Sequence, residues 1–163
     1  MKIIDNFLAE EYFRPIQSLM MGEDFPWYFN NYTVSPDGRG YQFTHTFLSG
    51  TDNGSYSDFS PMLQPIIDKL KVKRLIRIKA NLNPQTFIFN RSTGWHVDYP
   101  RPLPEHKSAI YYVNTNNGYT QFKWRKKVKS VENRIVIADV TREHSAFTCT
   151  DKKSRVIINF NYI

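Results

Sequence analysis

The chain has 163 residues, a length that favours one domain around one core. Hydrophobic residues make up 40% and aromatics 15%, which excludes a disordered chain. The net charge of +7 excludes an acidic tail protein and leaves two readings, a solvated basic face or a surface for an acidic partner. Cys149 is the single cysteine, so neither an internal disulfide nor a thiolate zinc cage can form, and a metal site must draw on His, Asp or Glu. One unpaired thiol suits a reducing, cytoplasmic compartment.

The N-terminus, "MKIIDNFLAEEYF", meets acidic residues before any apolar run, so no signal peptide is expected. No stretch is apolar enough for a membrane span. "IIDNFL" predicts a short strand and then a helix start with Asp5 or Asn6 as cap. The helix is expected over roughly 8–21, with Pro15 kinking it or delaying its start. Segments 27–34 and 41–48 look extended, joined by the turn "SPDGRG". A second helix is expected over 59–72, with Ser60 as cap and Pro61 at its first position.

From residue 74 strand signals dominate. The expected strands are 74–82, 86–90, 94–98, 108–114, 119–124, 134–139, 144–150 and 155–163, separated by turn residues. Two helices followed by about eight short strands argue for an α+β plan that is mainly β. The best match is a double-stranded β-helix, or jelly roll, with N-terminal helices packed on one sheet. One domain over 1–163 follows, with helical and extended support in 1–73 and the jelly-roll core in 74–163. In the last strand Val156, Ile158, Phe160 and Tyr162 share a face suited to burial under helices. Arg155, Ile157, Asn159 and Asn161 share the other, suited to a lined cavity.

Basic residues cluster twice. Residues 69–79 hold Lys69, Lys71, Lys73, Arg74, Arg77 and Lys79, and 123–129 hold Lys123, Arg125, Lys126, Lys127 and Lys129, with no acid in either run. Both are read as solvated faces in preference to a nucleic-acid surface.

The chemistry concentrates in "WHVDYP", "TREHSAF" and "KKSRVIINFNY". On one strand His96 and Asp98 point the same way and offer an imidazole and a carboxylate. His144 lies on a distant strand that a jelly roll folds back. Two histidines and a carboxylate make the ligand set of a facial iron site with open positions. Arg155 sits where a guanidinium needs water or an anion. His45 and His106 are further histidines without comparable carboxylate spacing. Most of Trp27, Tyr28, Trp95, Tyr99 and Trp124 are expected in the core, with Trp95 and Tyr99 as exceptions. Tyr111 should point away from Tyr112.

Together "HVDYP", "AIYYVNTNNGYTQF", "RIVIADVTREHSAF" and "SRVIINFNY" resemble the iron(II)/2-oxoglutarate-dependent dioxygenases, specifically their prolyl-4-hydroxylase-like branch. The resemblance covers roughly residues 74–163, with "NFLAEEYF" similar to the family's opening helix. Where the family often has Gly-Gly, this chain has Gly118 alone. The resemblance implies that His96, Asp98 and His144 hold Fe(II). It also implies that Arg155, helped by the Tyr112 hydroxyl, pairs with the far carboxylate of 2-oxoglutarate. Asn159 and Asn83 are candidate lining residues of the same pocket. The implied reaction consumes dioxygen and 2-oxoglutarate, releases succinate and carbon dioxide, and hydroxylates an aliphatic C–H of a peptide side chain or small molecule. Oxidative demethylation of a nucleic-acid base ranks lower. The competing readings are a non-catalytic basic β-sandwich that binds nucleic acid or a protein partner, and a cupin-like metal protein that needs no keto acid.

Overall fold

The computed structural model describes residues 1–34, 40–50, 56–124 and 126–163. Its elements in chain order are β1 (Lys2–Ile4), α1 (Glu10–Met21), β2 (Tyr28–Asn30) and β3 (Gln42–Leu48). A 3-10 helix (Ser60–Leu63) then runs into α2 (Gln64–Leu70). The rest is strand: β4 (Leu75–Pro84), β5 (Lys107–Tyr112), β6 (Tyr119–Phe122), β7 (Lys126–Lys129), β8 (Arg134–Asp139), β9 (His144–Phe147) and β10 (Ser154–Tyr162). Seven strands form one antiparallel sheet in the order β1-β8-β5-β10-β4-β3-β2, and three form a second in the order β7-β6-β9. This is the expected jelly roll, with two sheets and helices against the larger one. Strands β1, β2 and β3 extend that larger sheet, so residues 1–73 supply strands as well as helical support.

The alternation read in the last strand decides which face of the large sheet the helices cover. Val156, Ile158, Phe160 and Tyr162 are buried together with Phe13, Ile16 and Met20 of α1 and with Leu63 and Ile66. The opposite face meets the small sheet, where Ile110, Tyr112 and Ile157 pack with Phe122 and Val128. A strand periodicity of two thus assigns one apolar row to the helices and leaves the other row for the space between the sheets.

Several local expectations are corrected. Helix α1 starts after Ala9, not at Asp5 or Asn6, and no side chain caps it. Asp5 instead pairs with the Arg134 guanidinium, which holds its carboxyl below the usual range, and Asn6 takes a left-handed backbone at φ 48°. Pro15 lies inside the helix. The second helix is split. The Pro61 carbonyl accepts from the Gln64 amide, an i to i+3 bond, because Pro65 has no N–H to continue the α pattern. Ser60 does not cap it; its hydroxyl donates to the Phe47 carbonyl at 2.8 Å. The turn at 35–40 falls almost wholly outside the described residues.

Segment 86–90 is not a strand. The Thr86 hydroxyl bonds the Phe89 carbonyl at 2.8 Å and folds the segment on itself, leaving Phe87 95% exposed. Segment 94–98 makes a single isolated bridge, His96 to His144, since Gly94 breaks the extended backbone at φ 112°. Strand β7 arises inside the second basic run, where only Val128 is apolar and buried. Tyr28 and Trp124 are exposed, and Trp27 packs against the core as expected. Among the described residues, no helix is long and apolar enough to cross a membrane.

Asn133 ties the N-terminus to the sheet. Its side-chain oxygen accepts from the Leu8 amide and the Tyr111 hydroxyl, each at 2.9 Å, and its amide donates to the Leu8 carbonyl at 2.9 Å. It is buried and holds a left-handed backbone at φ 56°, which asparagine tolerates better than most residues. Asn133→Ala leaves three buried polar groups unpaired and adds backbone strain. We expect it to lower unfolding free energy by about 3 kcal/mol in urea denaturation; a loss below about 1 kcal/mol would show that water replaces these bonds.

Candidate metal centre

His96 and His144 are brought side by side by the backbone. The His96 amide donates to the His144 carbonyl at 3.0 Å, and the His144 amide returns a bond to the His96 carbonyl at 2.9 Å. Residues that exchange both bonds in an antiparallel pair stand directly opposite on one face. Their ring centroids are accordingly 4.5 Å apart. Asp98, two residues beyond His96, returns to the same side. Its Oδ1 lies 3.9 Å from His96 Nε2 and 4.0 Å from His144 Nε2. One ligand atom from each of the three residues lies within 4.8 Å of the others. Adjacent positions around an octahedral ion with bonds near 2.1 Å are about 3 Å apart, so a small inward movement closes this set on a metal.

The surrounding bonds select which atoms face inward. His144 Nδ1 lies 2.9 Å from the Arg142 carbonyl, and His96 Nδ1 lies 3.3 Å from the Gly94 carbonyl. A carbonyl only accepts, so each Nδ1 carries the proton and each Nε2 keeps a free lone pair. Burial, with His144 second, lowers the His96 pKa and favours the neutral imidazole that a metal needs. Asp98 Oδ2 accepts from the Ser108 hydroxyl and from Asn161 Nδ2 at 3.3 Å, which frees Oδ1 for an ion. Ser108 and Asn161 were not singled out by the sequence for this role. Their signal is positional, since they stand opposite each other in the register of β5 and β10.

The three residues border a cavity of about 280 Å³ between the sheets. Its far wall is the polar face of β4, where Arg77, Lys79, Asn81 and Asn83 alternate with core residues. Asn159 and Ile157 of β10 line it too. Asn159 Oδ1 is buried without a partner, and Asn83 is buried with its amide 3.4 Å from the Gln42 side-chain oxygen.

Arg155 stands behind this cavity, fully buried. Its Nε donates to Ser130 at 2.8 Å and its Nη2 to Thr120 Oγ1 at 2.9 Å, while Nη1 has no partner. No carboxylate pairs with it among the described residues, and burial opposes its charge and pulls its pKa down. Tyr112 is also fully buried, and its hydroxyl donates to Thr120 Oγ1 at 2.8 Å instead of facing the cavity. Thr120 lines the cavity, so it is the residue through which both reach that space. The sequence reading missed it. Tyr111 points the other way, into the helix-covered core, as expected.

The remaining histidines have other settings. His45 bonds the Pro26 carbonyl at 2.9 Å and Ser57 at 2.8 Å, among Phe25, Phe47 and Phe59. His106 packs on Tyr99 at 4.7 Å. Trp95 is 46% exposed.

Gly118 adjoins the guanidinium stem. A Cβ there would come within 2.7 Å of Arg155 Cδ and of the Asn116 side-chain oxygen, and 2.8 Å from the Phe147 carbonyl. The carbonyl belongs to the backbone and cannot step aside cheaply. We therefore expect Gly118→Ala to cost about 1–3 kcal/mol of stability by thermal unfolding. An unchanged melting temperature would mean that the Phe147 backbone gives way freely.

No family model matches the chain, and no curated protein matches it in sequence. Solved structures do share its fold. A 2OG-Fe(II) oxygenase family oxidoreductase from Burkholderia pseudomallei superposes with a TM-score of 0.69 at 9% identity, over 98% of this chain and 83% of that one. A prolyl hydroxylase from Trichoplax adhaerens, solved with a hypoxia inducible factor peptide fragment, gives 0.64 at 14% identity over 99% and 82%. A Pseudomonas putida prolyl-4-hydroxylase gives 0.58 at 12% identity over 99% and 91%. At these identities the likeness establishes the double-stranded β-helix fold. What the chain does must be argued from its own residues.

Proposed function

We propose that this chain is an iron(II)- and 2-oxoglutarate-dependent oxygenase that hydroxylates an aliphatic C–H bond of a peptide side chain or small molecule. One observation carries the reading. Two imidazole Nε2 atoms and one carboxylate oxygen converge, each with its other polar atom already tied, beside a cavity that backs onto a buried guanidinium without a counter-ion among the described residues. A non-catalytic sandwich has no use for either half of that arrangement.

The donor set fits a divalent first-row ion that keeps open positions, and a 2-His-1-carboxylate face suits iron(II). Bound iron(II) supplies the activation of dioxygen that hydroxylation requires. His96, Asp98 and His144 hold it, with Ser108 and Asn161 fixing the carboxylate. Arg155 Nη1 and the Thr120 hydroxyl take the far carboxylate of 2-oxoglutarate, and Tyr112 orients Thr120. Asn159 and Asn83 offer amides to the rest of the keto acid. A carboxylate at this point supplies the counter-ion that Arg155 lacks, which offsets the cost of burying the guanidinium. Residues 1–163 act as one oxygenase domain. Cys149, buried and unpaired, fits a cytoplasmic setting.

Anaerobic titration with iron(II) and then 2-oxoglutarate tests the reading. A weak visible charge-transfer band should appear only with both, and in air succinate should form. Absence of the band in the intact chain overturns the proposal. Succinate release can then be screened against peptides, amino acids and methylated oligonucleotides.

A further inference from the structure

We infer that Arg77 and Lys79 form a second anion site on the cavity wall, so that the substrate carries a carboxylate or phosphate group close to the C–H bond that reacts. The inference rests on the oxygenase reading for the word substrate, while the anion site itself needs no metal.

Both residues belong to the basic run 69–79, read from the sequence as a solvated face. The structure separates that run. Lys73 pairs with Glu105 at the surface, and Lys69 lies over the Phe7 ring at 5.2 Å. Arg77 and Lys79 instead lie two apart on β4 and line the cavity with the metal-binding triad. Both are partly buried, and neither forms an ion pair among the described residues. Burial, and then the positive charge of Arg77, push the Lys79 pKa down to about 8. Two like charges facing one small cavity repel each other at a cost that an anion between them removes.

The register separates this pair from the guanidinium assigned to the co-substrate. Arg155 stands opposite Asn83, whereas Lys79 stands opposite Asn159 and Arg77 opposite Asn161. Four residues of strand put the Lys79 position about 13 Å from that of Asn83, and six put Arg77 about 20 Å away. The backbone of Arg155 therefore lies toward the opposite end of β4 from Arg77, and its guanidinium turns away from β4 toward Thr120 and Ser130. Asn161, the neighbour of Arg77 in the register, is the residue that holds Asp98. The cation pair thus flanks the triad, where a substrate approaches the metal. Among the described residues, no acidic side chain but Asp98 lines the cavity to compete for it.

Isothermal titration of the metal-free chain with inorganic phosphate, and separately with acetate, tests the site. The intact protein should bind at least one of them, phosphate more tightly if the substrate is a phosphate ester and acetate if it is a carboxylate. Lys79→Met and Arg77→Met should each weaken that binding about tenfold, and Lys79→Arg should restore most of it. The same variants loaded with manganese(II) should keep 2-oxoglutarate affinity within about twofold. No anion binding by the intact chain, or binding unchanged in both Met variants, overturns the inference. So does a tenfold loss of 2-oxoglutarate affinity in the Met variants, which would assign the pair to the co-substrate. Failure of the oxygenase reading appears separately, as absence of the iron(II)–2-oxoglutarate band in the intact protein.

Discussion

Asp98→Ala should abolish binding of a divalent metal, weakening it by more than about 100-fold, and with it all turnover. Asp98 Oδ1 is the one anionic donor among the three, within 4.0 Å of both imidazole nitrogens. Two neutral imidazoles without it leave a divalent charge uncompensated between two sheets. Its other oxygen is already committed to Ser108 and Asn161, so its position is set before any ion arrives. Removing one of these supports should cost less than removing the ligand. We expect Ser108→Ala to weaken binding about tenfold, in line with the effect of outer partners on metal affinity. Manganese(II) binding followed by electron paramagnetic resonance measures both. If Asp98→Ala retained manganese within about threefold of the intact protein, the triad would not be the metal site. The fold should survive the change, because the main core lies on the far face of the large sheet, under the helices.

The parts of this site that were legible in the sequence are those set by strand periodicity and by residue type. His96 and Asp98 read as one face because side chains alternate, although the segment that carries them is bent at Gly94 and is no regular strand. The last strand read correctly because its apolar row is unbroken from Val156 to Tyr162. The same alternation runs through "IRIKANLN", with Ile78 and Ala80 in the core and Arg77, Lys79, Asn81 and Asn83 toward the cavity. Counting its charges as one basic run with residues 69–74 hid that pattern. Other features are tertiary and left no local trace. Thr120 matters because Tyr112 and Arg155 both converge on its hydroxyl from other strands. The loss of the 86–90 strand depends on Thr86 reaching Phe89, a local bond that outweighs the β propensity of "TFIF". The cap at Ala9 follows from Asp5 being drawn to Arg134, 129 residues away.

Arg155→Met should remove the response to 2-oxoglutarate while leaving the protein about as stable as before. A purely structural arginine would not lose the ligand response while keeping the stability. A guanidinium with no exposure and, among the described residues, no carboxylate partner carries a desolvation cost that its bonds to Ser130 and Thr120 only partly offset. A methionine of similar volume removes that cost, and replacing unmatched buried charges in this way is often neutral or stabilising by about 1–4 kcal/mol. The hydroxyls of Ser130 and Thr120 each lose a partner, which takes back about 1 kcal/mol apiece. The unliganded variant should therefore melt close to the temperature of the intact protein. Ligand linkage gives the other half. At a concentration 100 times its dissociation constant, 2-oxoglutarate should stabilise the manganese-loaded protein by about 2.7 kcal/mol. The variant, with affinity down by about 100-fold or more, should gain less than about 0.5 kcal/mol at the same concentration. Arg155→Lys should fall between, because an ammonium keeps the charge but cannot bond Ser130, Thr120 and a carboxylate in one plane. Thermal unfolding with and without 2-oxoglutarate reads all three proteins. A full ligand-induced shift in Arg155→Met would move the far carboxylate to another cation, and Lys79 is the one on the same cavity wall nearest in register.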